Sequence, residues 1–429
     1  MKAHLTRASL CIDITPDSLD SELSALKAWM EEEKDTVYQA ILNNLLGYYI
    51  LDTGKKDETA IDTAIAYFQR SLQDKEILFR KSAVDYRPMT NSKELSEKYC
   101  GDNMYQLLAR QAISRLSGYF IANPVSAEKI QTEILSIYDG LIDFYRQQGM
   151  TDARLLLMLD KLHYKGNDVS RGGVNEKLRL TDEQVITLLK QWAEEFADSP
   201  LCGEVYCQLA ERYDRMQDYT AKLKAAQTGL AKYPRSLSAN DLKEQIAEVL
   251  TPRLMVEIPF AYPGKDVDLK VKYRNLAGLT VELYRMNLPV TSPVLEREIN
   301  ASTLSQYGKL VSSRHYDLAA TPDYKETDTL LRYKFPVEGI YVVKSIPDGH
   351  RKYTAYGKAY VSSLQAISLG LPDGKQEINI VDRLTGHPVT GTEVAYYRVS
   401  PGEGYRLIKA YPVNGKGSVI LTPPSVGNW

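Results

Sequence analysis

Residues that could carry acid–base or nucleophilic chemistry are few in this sequence. Five histidines, His4, His163, His315, His350 and His387, are scattered through 429 residues. None stands four residues from another and none lies in an H-E-x-x-H pattern, so no pair shares a helix face on which to hold zinc. Ser312-Ser313-Arg314-His315 sets two hydroxyls beside an imidazole, the residue types of a nucleophile and its base. Neighbours on a strand point to opposite faces, however, and no G-x-S-x-G elbow fixes either serine. Cys11, Cys100, Cys202 and Cys207 show no C-x-x-C spacing, so neither a zinc site nor a disulfide framework is expected. Cys202 and Cys207 fall five apart on a predicted helix and face different ways. His387 reads as a surface residue in a turn. A glycoside hydrolase would need two carboxylates roughly 5–9 Å apart, and nothing in the sequence marks such a pair. No glycine-rich phosphate loop appears. The expectation is a protein that is not an enzyme, with no catalytic, cofactor-binding or metal-ligating residue and no cofactor.

Elements that could hold any site come next. A chain of 429 residues is too long for one ordinary core, so two or three domains are expected. Hydrophobic content of 44% and charged content of 25% belong to a globular protein. A net charge of −2 creates no field for nucleic acid or an acidic membrane. No run of about 18 apolar residues is present, so no transmembrane helix is expected. Met1-Lys2-Ala3-His4-Leu5-Thr6-Arg7 lacks the apolar centre of a signal peptide. Asn428-Trp429 stops on what reads as an unfinished sandwich, which implies a piece of a longer chain. Tyrosine is abundant, 30 against 7 phenylalanines, and reads as amphipathic packing between layers, with a binding surface as the alternative.

Over residues 1–251 the apolar spacing is helical. Ile61, Ile65, Phe68 and Leu72 recur at i, i+4, i+7 and i+11, and Ile130, Ile134, Ile137, Leu141 and Tyr145 do likewise. Leu108, Ala112 and Leu116 mark another stripe. Thr181 and Gln184 make a capping box, with Leu180 placed to staple onto Val185. A helix therefore starts there and runs through Trp192 and Phe196. Pro124, Pro200, Pro234 and Pro252 punctuate helix ends. Glu31-Glu32-Glu33 reads as a solvated helix end, and Tyr164 to Lys177 as a connecting loop. Short helices in series, each with one apolar face, predict stacked helical hairpins. From Gly203 to Pro234, the residues Tyr206, Leu209, Ala210, Tyr213, Gly229 and Pro234 match a tetratricopeptide unit, while Lys222 and Ala226 miss its small and aromatic positions. The expectation is an irregular, tetratricopeptide-like solenoid.

At Pro252 the period changes. Val267, Leu269, Val271 and Tyr273 alternate with Asp268, Lys270 and Lys272, the mark of a half-exposed strand. Asn275-Leu276-Ala277-Gly278 turns the chain, Leu279, Val281 and Leu283 return it, and Gly339 to Val343 gives a later strand. Residues 252–352 are assigned to one immunoglobulin-like sandwich. The stretch from Thr291 to Asp328 is less regular and reads as an excursion loop. Residues 353–429 are assigned to a second sandwich, incomplete or ending at its last strand, with strands Ala359–Ile367, Gln376–Asp382, Thr392–Val399, Tyr405–Tyr411 and Ser418–Leu421. Within it, Ile378, Ile380 and Val394, Tyr396 read as the two arms of a hairpin. Gly386 supplies a positive φ between them, and Pro388 removes a donor.

The corner Val381-Asp382-Arg383-Leu384-Thr385-Gly386-His387-Pro388-Val389-Thr390-Gly391, with no residue arranged for chemistry but rich in turn residues, resembles the second-domain hairpin of the alpha-2-macroglobulin family. Pro259-Phe260-Ala261-Tyr262-Pro263-Gly264, with Lys272-Tyr273-Arg274-Asn275, resembles that family's first macroglobulin-like domain. Asn103-Met104-Tyr105-Gln106-Leu107-Leu108-Ala109-Arg110-Gln111-Ala112 and Lys2-Ala3-His4-Leu5 resemble the amino-terminal helical region of large macroglobulin-like proteins from the Bacteroidetes. The resemblance implies an amino-terminal part of a protease-trapping protein of the bacterial cell envelope. It implies a location in the periplasm or at the cell surface, membrane-anchored when whole. Proteases would be its partners, and envelope proteins would be met through the helical region. The family's reactive device is a thioester between a cysteine and a glutamine in Cys-Gly-Glu-Gln. Here Cys202-Gly203-Glu204-Val205 puts valine where the acyl donor is required, so Cys202 is expected to be a structural, buried thiol. The alternative function is a surface or periplasmic scaffold that binds peptide or glycan without inhibiting proteases.

Overall fold

A computed structural model describes residues 19–53, 58–86, 101–122, 127–166, 180–372, 374–400 and 404–422. His4, Cys11, Cys100, Pro124, the segment Lys2-Ala3-His4-Leu5, the stretch 167–177 and Asn428-Trp429 lie outside the described residues. The chain divides into two compact units, Met1–Ile246 and Ala247–Trp429.

The first unit is helical. Its helices are α1 (Leu19–Glu32), α2 (Thr36–Thr53), α3 (Glu58–Ser71), α4 (Lys75–Phe79), α5 (Met104–Ala122), α6 (Ala127–Gln147), α7 (Thr151–Gly166), α8 (Asp182–Glu195), α9 (Cys202–Arg215), α10 (Tyr219–Lys232) and α11 (Ala239–Leu250). The sequence stripes are the buried faces. Ile61, Phe68, Leu108, Leu116, Ile134, Leu141 and Tyr145 meet in one core with α2. A second core joins Leu155 of α7 to Val185, Leu189, Cys202, Val205, Leu209, Ala226 and Leu242. Helix α7 serves both, since Leu157 belongs to the first core. Each such side chain removed from water contributes about 1.5–3 kcal/mol. The capping box forms: the Thr181 hydroxyl accepts from Gln184 N–H at 3.3 Å, and Thr181 N–H donates to Gln184 Oε1 at 2.9 Å.

Helices α9 and α10 form a hairpin drawn tight at Gly229, where an added Cβ would stand 2.5 Å from Tyr206 Cβ. Lys222, which occupies the position where a small residue was expected, is buried and sends its ammonium to Asp214 at 2.7 Å. The start of α5 is pinned by polar groups that are wholly inside. Asn103 Oδ1 accepts from Gln106 N–H at 2.9 Å, Asn103 Nδ2 donates to Tyr145 Oη at 2.9 Å, and that hydroxyl donates to Gln106 Oε1 at 2.6 Å. The first turn of the Asn103–Ala112 segment is thereby locked to α6.

The second unit is mainly β. Its strands are β1 (Arg253–Glu257), β2 (Asp266–Arg274), β3 (Gly278–Met286), β4 (Gly308–Asp317), β5 (Thr327–Lys334), β6 (Gly339–Pro347), β7 (Ala355–Val361), β8 (Leu364–Gly370), β9 (Gln376–Asp382), β10 (Glu393–Ser400), β11 (Gly404–Pro412) and β12 (Ser418–Leu421), with a short helix α12 (Ala301–Tyr307). Sheet β1-β2-β5 and sheet β4-β3-β6-β7 are antiparallel and share one core. Leu269, Val271 and Tyr273 enter it from one side, and Leu279, Val281, Leu283, Tyr341 and Val343 from the other. The β2–β3 turn uses Asn275 at φ 57°, and its Nδ2 donates to Val249 O at 2.7 Å within the same unit. The remaining strands form sheet β12-β9-β8 and the ribbon β10-β11. Among the described residues of this second module few apolar side chains are fully covered, chiefly Ile380, Val413 and Leu421.

Three expectations fail. The stretch 291–328, read as a loop, contains α12 and the ten-residue strand β4. Leu310 and Val311 of β4 are exposed, so its burial never alternates and the period-two signal is missing. Residues 355–367, read as the opening of the second module, are two strands divided at Ser362-Ser363. The first of them, β7, pairs with β6, so the seam between modules falls after Val361 rather than at 352. Only two residues lie between the strands, and sequence period does not reveal a change of sheet. Finally, β9 and β10 are not a ladder. After one bridge, Val381 to Pro388, the chain turns away through Gly391 at φ 72°, and β10 pairs with β11. The bonds across that bridge are Asp382 N–H to His387 O at 2.8 Å and Val389 N–H to Ile380 O at 2.9 Å.

Candidate functional site

The residue types that could do chemistry fall on several separate elements. Cys202 opens α9 and is fully buried, its Sγ 3.7 Å from Ala193 O. Burial pushes its thiol pKa up, and Cys207 is pushed up to about 12 by burial and then by the Glu211 carboxylate. A thiol held protonated is a poor nucleophile. Glu204, the third residue of the thioester-like tetrad, accepts from Ser238 N–H at 2.8 Å and so ties α9 to the start of α11.

On β4 the predicted split of faces holds. Ser312 shares a 2.6 Å hydrogen bond with Tyr333 Oη, and Arg314 lies 5.3 Å over the same ring. His315 turns the other way: Nε2 is 2.7 Å from Asp348 Oδ2, and Nδ1 is 3.9 Å from Asp317 Oδ1. The bond to Asp348 raises the imidazole pKa. An imidazole beside two carboxylates favours its charged form. Gly278 leaves the room, since a Cβ there would stand 2.2 Å from Asp348 Oδ2. His163, His350 and His387 are exposed on three separate elements. Among the described residues no group of three His, Cys, Asp or Glu could hold a metal ion. No helix among them is long and apolar enough to cross a membrane.

Sequence reasoning missed a polar cluster on the four-stranded sheet. Lys344 Nζ donates to Glu282 Oε2 at 2.7 Å, and Tyr284 Oη donates to the same oxygen at 3.0 Å. Burial works to raise the Glu282 pKa, yet those two bonds outweigh it and the carboxyl sits below its ordinary range. The beginning of the cluster, Glu282 and Tyr284 two apart on a strand, is a signal of shared face, but Lys344 is 62 residues away in sequence.

The feature that stands out is where the two β modules meet. Asp382 Oδ1 accepts from Leu384 N–H at 3.1 Å, Thr385 N–H at 2.8 Å and Thr385 Oγ1 at 2.9 Å. Gly386 follows at φ 71°, and its N–H donates to Asp382 O at 2.8 Å. This closes the turn. Asp382 Oδ2 is left for the first module, and Tyr262 Oη donates to it at 2.9 Å. The Thr385 N–H first, then the Tyr262 and Thr385 hydroxyls, hold the carboxyl below the usual aspartate range. Beside it the Arg383 guanidinium lies 4.8 Å over the Phe260 ring, and Arg383 N–H donates to Ser363 O at 2.7 Å. Pro388 rests on Gly417, where a Cβ would stand 2.7 Å from Pro388 Cβ. The two segments singled out by resemblance, 259–264 and 382–391, are thus in contact. Their chemistry is that of a joint.

No protein-family model matches the chain, and no curated protein matches it. Among solved structures it is similar to native alpha-2-macroglobulin from Escherichia coli spanning domains NIE-MG1, at 16% identity and a TM-score of 0.31 over 41% of this chain and 88% of that one. A second structure of that protein, spanning MG0-NIE-MG1, matches at 18% identity and a TM-score of 0.33 over 40% of this chain and 57% of that one. Domains 1–6 of the surface layer protein SbsC match at 12% identity and a TM-score of 0.16, over 98% of this chain and 56% of that one.

Proposed function

We propose that this chain is a non-catalytic, amino-terminal portion of an alpha-2-macroglobulin-like protein of the bacterial cell envelope, with a scaffold and docking role. In this reading the helical unit is a tetratricopeptide-like solenoid that meets envelope proteins. The β modules are immunoglobulin-like sandwiches of the macroglobulin type, the first of a string that encloses a protease in the whole protein. The supporting observation is the Tyr262–Asp382 bond at 2.9 Å, because it joins the two β segments whose residues resemble that family. The buried, protonated thiol of Cys202 supports a role without thioester chemistry in this part of the protein.

Two measurements test the reading. Incubated in excess with trypsin, the chain leaves cleavage of a protein substrate unchanged; stoichiometric inhibition would overturn the reading that this is only a portion of the trapping protein. Sequencing the native reading frame on both sides is expected to show further tandem β modules downstream and an export signal upstream. A frame without further modules removes the macroglobulin reading.

A further inference from the structure

In the first β module, β1 is the outer strand of its sheet and β7 the outer strand of the other. At one end the two edges are sewn together. Ala261 bridges Val361 in parallel, and Ser362 N–H donates to Ala261 O at 3.3 Å. Gly357 lets Ile258 in so close that a Cβ would stand 2.5 Å from Ile258 Cδ1. At the other end the edges part around an open cleft of about 490 Å³, between Arg253–Met255 on β1 and Tyr353–Ala355 at the start of β7. We propose that this cleft binds an extended peptide segment carrying a carboxylate side chain, laid along the free edge of β1.

Three observations carry this. First, among the described residues β1 pairs only with β2, and over Arg253–Met255, before β7 closes on it at Val256 and Ile258, its other edge presents unpaired backbone groups, the template on which an added strand forms. Second, the volume lies in the range of small ligand sites, and Met255, more than half exposed, gives an apolar surface for an alternate side chain. Third, the charge does not balance. Arg253 and Lys272 both turn to one carboxylate, Glu326, each at 3.2 Å. The next anion, Asp328, is taken by Lys270 at 3.4 Å. Among the residues lining the cleft, two cations, Arg253 and Lys272, therefore face one carboxylate, Glu326. Glu257 closes the far end of β1, so an incoming acid is favoured at the Arg253 end. A guanidinium can receive a second carboxylate in a two-pronged bond while Lys272 keeps Glu326.

The test uses the full chain and a fluorescein-labelled pentapeptide, acetyl-Thr-Val-Glu-Val-Thr-amide, with the same peptide carrying glutamine in place of glutamate. Polarisation is expected to rise saturably for the glutamate peptide and to need about tenfold more protein for the glutamine peptide. Arg253→Gln should weaken the glutamate peptide by a similar factor and erase the difference between the two. Glu326→Gln, which frees both cations, should bind the glutamate peptide more tightly than the parent chain. The opposite directions of the two variants separate loss of the site from loss of fold. Absence of saturation by about 1 mM chain, equal binding of the two peptides, indifference to Arg253→Gln, or full displacement by an equal concentration of free glutarate would each overturn the proposal.

Discussion

Asp382 shows how much one half-buried side chain can organise. One of its oxygens shapes the turn that follows it, and the other holds a tyrosine from the preceding module. Its pKa is depressed in the folded chain. The bonded carboxylate therefore adds stability that is complete above the unfolded aspartate value of about 3.9 and is lost as pH falls through the lower folded value. Asp382→Asn should accordingly lower the melting temperature at neutral pH, and the gap between variant and parent should narrow as the medium is acidified below about pH 4. A gap that is constant with pH would mean that the carboxylate charge plays no part in the joint. The turn itself was legible, because glycine and proline have strong conformational preferences at each position. The tyrosine was not, since the two partners lie 120 residues apart and neither has a local reason to seek the other.

At the scale of elements, helices announced themselves and strands did so unevenly. Stripes such as Ile130, Ile134, Ile137, Leu141 and Tyr145 are buried to the last residue because each helix has one partner-facing side. Strand β4 was hidden by its position at a sheet edge, where burial need not alternate, and the end of β7 by the two-residue link that runs it straight into the next sheet. The α9–α10 hairpin offers a direct comparison of glycines. Gly229→Ala forces a Cβ to within 2.5 Å of Tyr206 Cβ. Overpacking costs about 1–3 kcal/mol, against a helix-propensity gain of about 1 kcal/mol. Gly118→Ala, on α5 with nothing within 4 Å, keeps only the gain. Urea unfolding should place the first variant below the parent and the second above it; the reverse order would deny that the hairpin is tight.

Among the described residues each core lies within one unit, two in the helical unit and two in the β unit. Unfolding is then expected in more than one step. Scanning calorimetry should give a measured enthalpy larger than the van't Hoff enthalpy of the leading transition, and a peak that resolves into at least two components. One two-state peak would mean that the units stand or fall together. The division into a helical and a β unit was legible from the change of apolar period at Pro252, because period reports the local element. Which strands share a sheet was not, because that depends on partners far along the chain.

The seam after Val361 has a mechanical consequence. Only Ser362 and Ser363 separate β7 from β8. Stretched out, two residues reach about 7 Å, which leaves almost no slack. Under tension along the backbone, the second module would not dangle like a bead on a string. The load would pass straight into the outermost strand of the first sheet and peel it from β6, one bond at a time, while Tyr262 and Arg383 resisted from the side.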